Sequence, residues 1–351
     1  MSKIKTLFDK KYRSRTLSYL LVIAVYMIVE LLIHTGNMKT MYKNLLVPIS
    51  CFVVATISLN LVVGFSGELS LGHAGFMSLG AFTGVIVSGY LAGSITNTAL
   101  RLAIAIIAGA IVAGLFGLLI SIPVLKLEGD YLAIVTLAFC QIIKSVINNV
   151  YLGFDDNGFQ FSFINNELDI AKGGKVLING PIGATGTQRI STFTAGIVLI
   201  LLTLTIVYHL IYSKHGRAIM AGRDNRIAAQ SVGINVTQSK TLAFVIASAL
   251  AGAAGALYAL NNTTFSSAKF DYNQSILILV YVVLGGLGKI NGSMISATVL
   301  MLLPEMLRFL SNYRMLIYAI VLILMMLVTN NEQLKSIFHT RFKKGKKKEE
   351  A

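Results

Sequence analysis

Apolar runs of about 20 residues recur along the chain and constrain its fold more than any other feature. A helix of about 20 apolar residues crosses roughly 30 Å of hydrocarbon. Charged residues make up only 13% of the 351-residue chain, whereas a soluble domain has about a quarter. We predict an all-α polytopic membrane protein with about ten transmembrane helices, at residues 17–34, 45–64, 75–93, 102–122, 131–149, 192–212, 241–261, 273–287, 293–311 and 313–329.

The distribution of Lys and Arg predicts how the helices are oriented. With ten spans, a basic head (1–16), a basic tail (330–351) and the segment 213–240 all lie on one side of the transmembrane domain (17–329). Together with Lys126 and Lys289 they hold about 20 of the 30 basic residues. The positive-inside rule therefore places both termini and this segment in the cytoplasm. The net charge of +15 suits anchoring near anionic lipid better than RNA binding, so we expect no nucleic-acid partner.

Motifs for catalysis, cofactors and metals do not occur in the sequence. Gly288-Lys289 does not complete a phosphate loop, because Val283 stands at the first glycine position and Ile290 follows the lysine. Cys51 and Cys140 lie inside apolar spans and are interpreted as packing residues. We therefore expect no enzymatic activity, no cofactor and no metal, and if ATP drives this protein, another chain hydrolyses it.

One long polar segment, residues 150–190, is predicted to be a folded extracellular loop. It mixes Gly, Asn and charges of both signs. Two interpretations stay open, since long ordered loops are often functional. The loop either covers the outer helix ends or forms a docking surface for an external protein, with Asp155, Asp156, Glu167, Asp169, Lys172 and Lys175.

Two glycine-rich stretches, residues 60–76 and 285–292, join spans on the predicted cytoplasmic side and form a weak internal repeat. Glycine lets helices approach closely and lets backbone break within a membrane, as it does at transporter substrate paths. The alternative is tight helix packing alone, and His73 by itself suits a hydrogen-bonded packing residue better than a proton carrier. For the first stretch we predict a translocation path lined by Asn60, Gly64, Gly67, Ser70, Gly72 and His73.

The segment 213–240 is polar and basic, and it lies between two long apolar runs. We predict that it docks onto a soluble partner, through a short helix whose alanines allow close approach and which ends at a left-handed Gly233. The alternative is an ordinary solvated loop. The candidate residues for coupling to the partner are Gly216, Arg217, Arg223, Asp224, Asn225, Ala228, Ala229 and Gly233.

Three stretches resemble the LivM family of permeases from branched-chain amino acid ABC importers. They are NLVVGFSGELSLGHAGFMSLGAF, GDYLAIVTLAF, and HGRAIMAGRDNRIAAQSVGINV with the following LAFVIASALAGAAGALYA. The resemblance covers about residues 45–327. It implies an ABC importer permease in a bacterial cell membrane that moves Leu, Ile or Val inward. The partners implied are a LivH-like permease subunit, two ATP-binding subunits at the segment 213–240 (the coupling segment), and an extracytoplasmic substrate-binding protein.

Some positions depart from the family pattern, which leaves alternatives for the cargo. Glu68 stands where the family often has Gln, and Gln141 stands where it often has Glu. Related permeases carry urea, sugars or nucleosides. A secondary transporter without an ATPase is a further alternative, but it leaves the segment 223–233 without a role.

The predicted topology is testable by site-directed labelling. Cysteines introduced at Ser213 and Asn166 should react with impermeant reagents from opposite sides of the membrane, because the Lys and Arg distribution places these residues on opposite sides. Labelling of both positions from the same side would contradict the ten-span arrangement.

Overall fold

The computed structural model describes residues 2–36, 38–125, 129–155, 158–163, 175–308 and 313–330. Most of them are helical. The helices are α1 Ser2–His34, α2 Thr40–Asn60, α3 His73–Tyr90, α4 Thr98–Val124, α5 Asp130–Asn148, α6 Phe193–Tyr212, α7 Lys214–Asp224, α8 Arg226–Ser231, α9 Val236–Ala259, α10 Tyr272–Gly285, α11 Ile290–Met306 and α12 Arg314–Asn330.

A helix stands at each of the ten predicted spans, while α7 and α8 lie in the segment 213–240. Among the described residues, six helical stretches are long and apolar enough to cross a membrane, and the apolar parts of α10, α11 and α12 are shorter. The number of crossings and the orientation of the termini therefore stay predictions. The predicted head is continuous with the first span, because α1 begins at Ser2. The tail beyond Asn330 lies outside the described residues.

The all-α prediction needs one correction, in the segment 150–190. Strands β1 Val150–Asp155, β2 Gly158–Phe163 and β3 Lys175–Asn179 form an antiparallel sheet in the order β2-β1-β3. The alternation of aromatic and polar residues in β2 (GFQFSF) is typical of a strand, but the glycines and asparagines around it favoured a loop. Asp156, Glu167, Asp169 and Lys172 lie outside the described residues, so their docking role stays a prediction.

The chain divides into two compact units, residues 1–297 and 298–351. In the second unit, Arg308 donates a hydrogen bond to Glu305 over 2.9 Å, between residues three apart in sequence. In the first unit, α2 and α9 are mostly buried, whereas α1 is mostly exposed and packs against α6. Helices α2 and α9 are therefore the centre of the first unit.

Small residues bring α3, α4 and α9 into close contact. A Cβ atom on Gly80 would overlap with the backbone of Gly252, and one on Gly255 would overlap with the carbonyl of Met77. Lipid tails are as apolar as the side chains they surround, so helices in a membrane associate largely through such van der Waals contact. The glycines of α3 and α9 therefore determine how closely these helices pack.

A methyl group at this crossing should destabilise the protein. We expect Gly255→Ala to lower the free energy of unfolding by about 1–3 kcal/mol, because the methyl group has no room beside the Met77 carbonyl. Gly114→Ala is the matched control, since its Cβ would lie 3.3 Å from the nearest atom, the Ala249 methyl group. Thermal unfolding in detergent measures the stability of both variants. Equal melting temperatures for the two variants would contradict the close crossing.

Candidate functional site

The helix that begins as α2 breaks before α3, and this break is the centre of the candidate site. Helix α2 continues as a π-helical segment, Leu61–Ser66, which ends at Gly67 with φ of 76°. The chain is then non-helical until α3 begins at His73. Short π-helical segments are frequent at functional sites. All six residues predicted to line the path lie in this break or at its ends.

Asn60 joins the two glycine-rich stretches. Its side chain is fully buried, accepts a hydrogen bond from the Gly288 amide (2.9 Å) and donates one to Ser293 Oγ (2.8 Å). A Cβ atom on Gly64 would overlap with the Gly288 amide nitrogen. The two stretches that the sequence analysis set side by side therefore pack directly against each other.

The second half of the break reaches toward the middle of α5. The Leu71 amide donates to Thr136 Oγ1 over 3.0 Å, and a Cβ atom on Gly72 would lie 2.5 Å from the Thr136 carbonyl oxygen. His73 Nε2 lies 2.7 Å from Ser58 Oγ in a buried hydrogen bond, and its place on a translocation path stays a prediction. Gly72 and His73 thus fix the start of α3 to its neighbours.

Two serines of the break lack such partners. The hydroxyl groups of Ser66 and Ser70 are buried and have no hydrogen-bond partner among the described residues. A buried polar group without a partner costs about 1–3 kcal/mol. The break therefore keeps free hydrogen-bonding capacity in these two side chains.

Arg223 of α7 connects the coupling segment to the break. Its Nη1 donates to the Gly64 carbonyl over 2.8 Å, while Nε and Nη2 donate to Asp224 Oδ1 over 3.0 and 2.8 Å. A Cβ atom on Gly67 would lie 2.6 Å from Arg223 Cγ. The two predicted sites are thus in direct contact, which their separation in sequence had concealed.

A second contact joins the break to the start of α9. Lys240 and Glu68 form an ion pair that is largely shielded from solvent. The ion pair explains why a carboxylate stands at position 68, because a neutral Gln would leave Lys240 without its counter-charge. No local sequence pattern predicts this contact, since 172 positions separate the two residues.

Local hydrogen bonds define the short helices of the coupling segment. Ser213 caps α7 and Asn225 caps α8, and the side-chain oxygen of each accepts a hydrogen bond from a backbone amide. Gly233 has φ of 84°, and the amides of Gly233 and Ile234 donate to the carbonyls of Gln230 and Ala229, each over 3.0 Å. These two bonds form a Schellman motif, which confirms the predicted left-handed end.

Most of the predicted coupling residues are exposed, whereas Gly216 and Ala229 are buried. Ala229 is only 4% exposed, so it packs within its own chain, and its part in coupling to a partner stays a prediction. Ala228 is exposed, and beside it Ile227 and Val232 are 80% and 75% exposed. Ile227 and Val232 are the two large apolar residues of the stretch 223–233, and this was the available signal. Gly216 is buried against the end of α6, and Arg217 lines a pocket described below.

Comparison with known proteins places the chain in a family. A family model described as branched-chain amino acid transport system / permease component matches residues 41–329. The chain belongs to this family. Together with its long apolar helices, membership makes it a multi-pass protein of the bacterial inner membrane.

Individual relatives agree with the family. The high-affinity branched-chain amino acid transport system permease proteins LivM of Salmonella typhimurium (strain LT2) and Escherichia coli (strain K12) are each 32% identical over 289 residues, 79% of this chain. The match spans 66% of their length, just under two thirds. The ribose import permease protein RbsC of Escherichia coli (strain K12) is 26% identical over 302 residues, 83% of this chain and 85% of its own. No solved structure matches the chain with statistical significance.

Polar contacts join the C-terminal half of α5 to the start of α10. Asp271 accepts a hydrogen bond from Gln141 (2.8 Å) and lies 3.3 Å from the Lys144 ammonium. Partial burial would raise the pKa of Asp271, but these two groups and the Tyr272 amide outweigh it, so the pKa lies below its usual value. The Gln at position 141 therefore has a structural role in this chain.

The bridge made by Asn60 predicts non-additive effects on stability. We expect Asn60→Leu to cost about 1–3 kcal/mol, because it leaves the part-buried Gly288 amide without its acceptor, and Ser293→Ala to cost less. Both substitutions remove the hydrogen bond between Asn60 and Ser293. The double variant should therefore lose less stability than the sum of the two single losses. Thermal unfolding of the three variants measures this, and strict additivity would contradict the bridge.

Proposed function

We propose that this chain is the permease subunit of a binding-protein-dependent ABC importer for branched-chain amino acids. Its partners are a LivH-like permease subunit, two ATP-binding subunits that hydrolyse ATP, and an extracytoplasmic substrate-binding protein. The family and its LivM members support the class and the cargo. The main structural support for the mechanism is the hydrogen bond from Arg223 to the Gly64 carbonyl, because it joins a surface segment to a broken helix.

The coupling segment has the features of a docking element for the ATP-binding subunit. Ile227 and Val232 are exposed on a polar surface and supply apolar area that a partner groove can bury. The cap at Asn225 and the Schellman motif at Gly233 hold α8 at both ends, so it moves as a rigid unit.

Displacement of α7 and α8 has a route to the membrane helices. Arg223 holds the first part of the break at Gly64, and Lys240 holds the next part at Glu68. The π-helical segment and the left-handed Gly67 allow the backbone to change direction there without disrupting α2 or α3. ATP-driven movement of the partner would therefore reposition the break.

The break also has suitable chemistry for an amino-acid path. The unpartnered hydroxyls of Ser66 and Ser70 offer hydrogen bonds to a passing ammonium or carboxylate group. Helix α3 begins within the break at His73, and the positive end of a helix dipole favours a carboxylate. A sugar has no carboxylate, so this feature favours amino acids over the cargo named for the ribose permease.

A charge on the exposed face of α8 should release the ATP-binding subunits. We expect Ile227→Asp or Val232→Asp to lower their co-purification with the tagged chain by about tenfold or more, since each variant places an unpaired charge in an apolar contact. Gln230→Asp is the control, because Gln230 is exposed in the same helix and is already polar.

Recovery measured after mild detergent extraction tests the proposal. Full recovery of the ATP-binding subunits with both apolar positions charged would exclude α8 as their docking element.

A further inference from the structure

A pocket of about 600 Å³ opens between the end of α6, the start of α7 and the start of α11. Its walls combine apolar side chains, among them Phe65 and Met220, with the two basic side chains Arg217 and Lys289. The function proposed above assigns no role to this space. A ligand that fills it must contact both apolar and positively charged groups.

The positive charge of the pocket is not balanced by the protein. Arg217 and Lys289 are exposed, no carboxylate is among the described residues that line the pocket, and neither cation forms an ion pair within the described chain. The nearby Arg223 and Lys240, in contrast, each have a carboxylate partner. Two cations that share one space favour an anion between them.

Tyrosines place the pocket at the edge of the membrane helices. Tyr208 and Tyr212 of α6 line it, and their rings stack with centroids 6.0 Å apart. Tyrosine is enriched at the level of lipid headgroups, where its ring is in apolar surroundings and its hydroxyl reaches polar ones. The end of α6 at Tyr212 is also where the apolar run gives way to the polar segment 213–240.

Helix α1 connects the pocket to the lipid phase. Tyr19 of α1 lies 6.2 Å from the Tyr208 ring, and the Arg15 guanidinium lies 6.0 Å above the Tyr19 ring. Leu17 and Leu20 on the same helix are more than half exposed. The pocket wall at Tyr208 is therefore in contact with a helix whose apolar side chains are exposed, and Arg15 adds a third cation nearby.

We propose that this pocket binds the phosphate group of an anionic phospholipid, with Arg217 and Lys289 as its ligands. The apolar walls at Phe65 and Met220 accommodate the start of the acyl chains. A free phosphate ion has the negative charge of such a lipid but no acyl chains to contact the apolar walls. The proposal stands whatever solute the protein transports.

Titration with short-chain lipids tests the site on the purified full-length protein in detergent. The probes are dioctanoyl phosphatidylglycerol, dioctanoyl phosphatidylcholine and inorganic phosphate. We expect phosphatidylglycerol to bind most tightly, with affinity reduced about fivefold in Arg217→Gln or Lys289→Gln and about 30-fold in the double variant. Lys214→Gln is the matched control, because Lys214 is exposed on α7 but does not line the pocket, and it should bind like the unsubstituted protein.

Three results would overturn the proposal. Equal affinity for the two lipids in the unsubstituted protein would show that charge is not recognised. Unchanged phosphatidylglycerol affinity in the double variant would exclude Arg217 and Lys289 as ligands. Inorganic phosphate binding as tightly as phosphatidylglycerol would assign the pocket to a soluble anion. If the double variant has a lowered melting temperature without lipid, the proposal is tested instead by the affinities of the single variants and by the comparison of the two lipids.

Discussion

A helix that breaks inside a membrane protein must find a partner for each backbone group that it exposes, because lipid supplies none. In this chain side chains distant in sequence do so. Arg223 donates to the Gly64 carbonyl, Thr136 accepts from the Leu71 amide, and Ser275 accepts from the Ala74 amide over 3.0 Å. Asn60 does the same for Gly288 in the second glycine-rich stretch. Thr136, Ser275 and Asn60 lie in otherwise apolar helices because their side chains form hydrogen bonds with backbone groups at the break and in the second glycine-rich stretch.

This requirement also connects the surface to the interior. Of the groups that stabilise the break, Arg223 belongs to α7, outside the long apolar helices, and Lys240 lies at the start of α9. Any movement of the coupling segment therefore changes the hydrogen bonding of the break, since the Gly64 carbonyl has Arg223 as its partner there. In the proposed mechanism, the contact that stabilises the break also lets an external partner move it.

Features governed by local patterns could be predicted from the sequence. The apolar runs located the helices, and the glycine after an alanine-rich turn predicted the left-handed end at Gly233. The sheet in the segment 150–190 was missed because its alternation is short and lies among turn-forming residues. The exposure of Ile227 and the burial of Ala229 depend on how α8 packs, which one short helix does not specify. The contacts of Arg223 and Lys240 with the break span 159 and 172 positions, and no local pattern encodes them.

Arg223→Gln tests most directly whether the coupling segment acts through the break. The complete transporter is reconstituted in liposomes, and leucine uptake and ATP hydrolysis are measured on the same sample. The account predicts that the ATP-binding subunits remain bound and hydrolyse ATP, while uptake per ATP falls by about tenfold or more, because a charged hydrogen bond to Gly64 is lost. Lys214→Gln should transport normally. Uptake by Arg223→Gln equal to that of the unsubstituted protein would contradict the account.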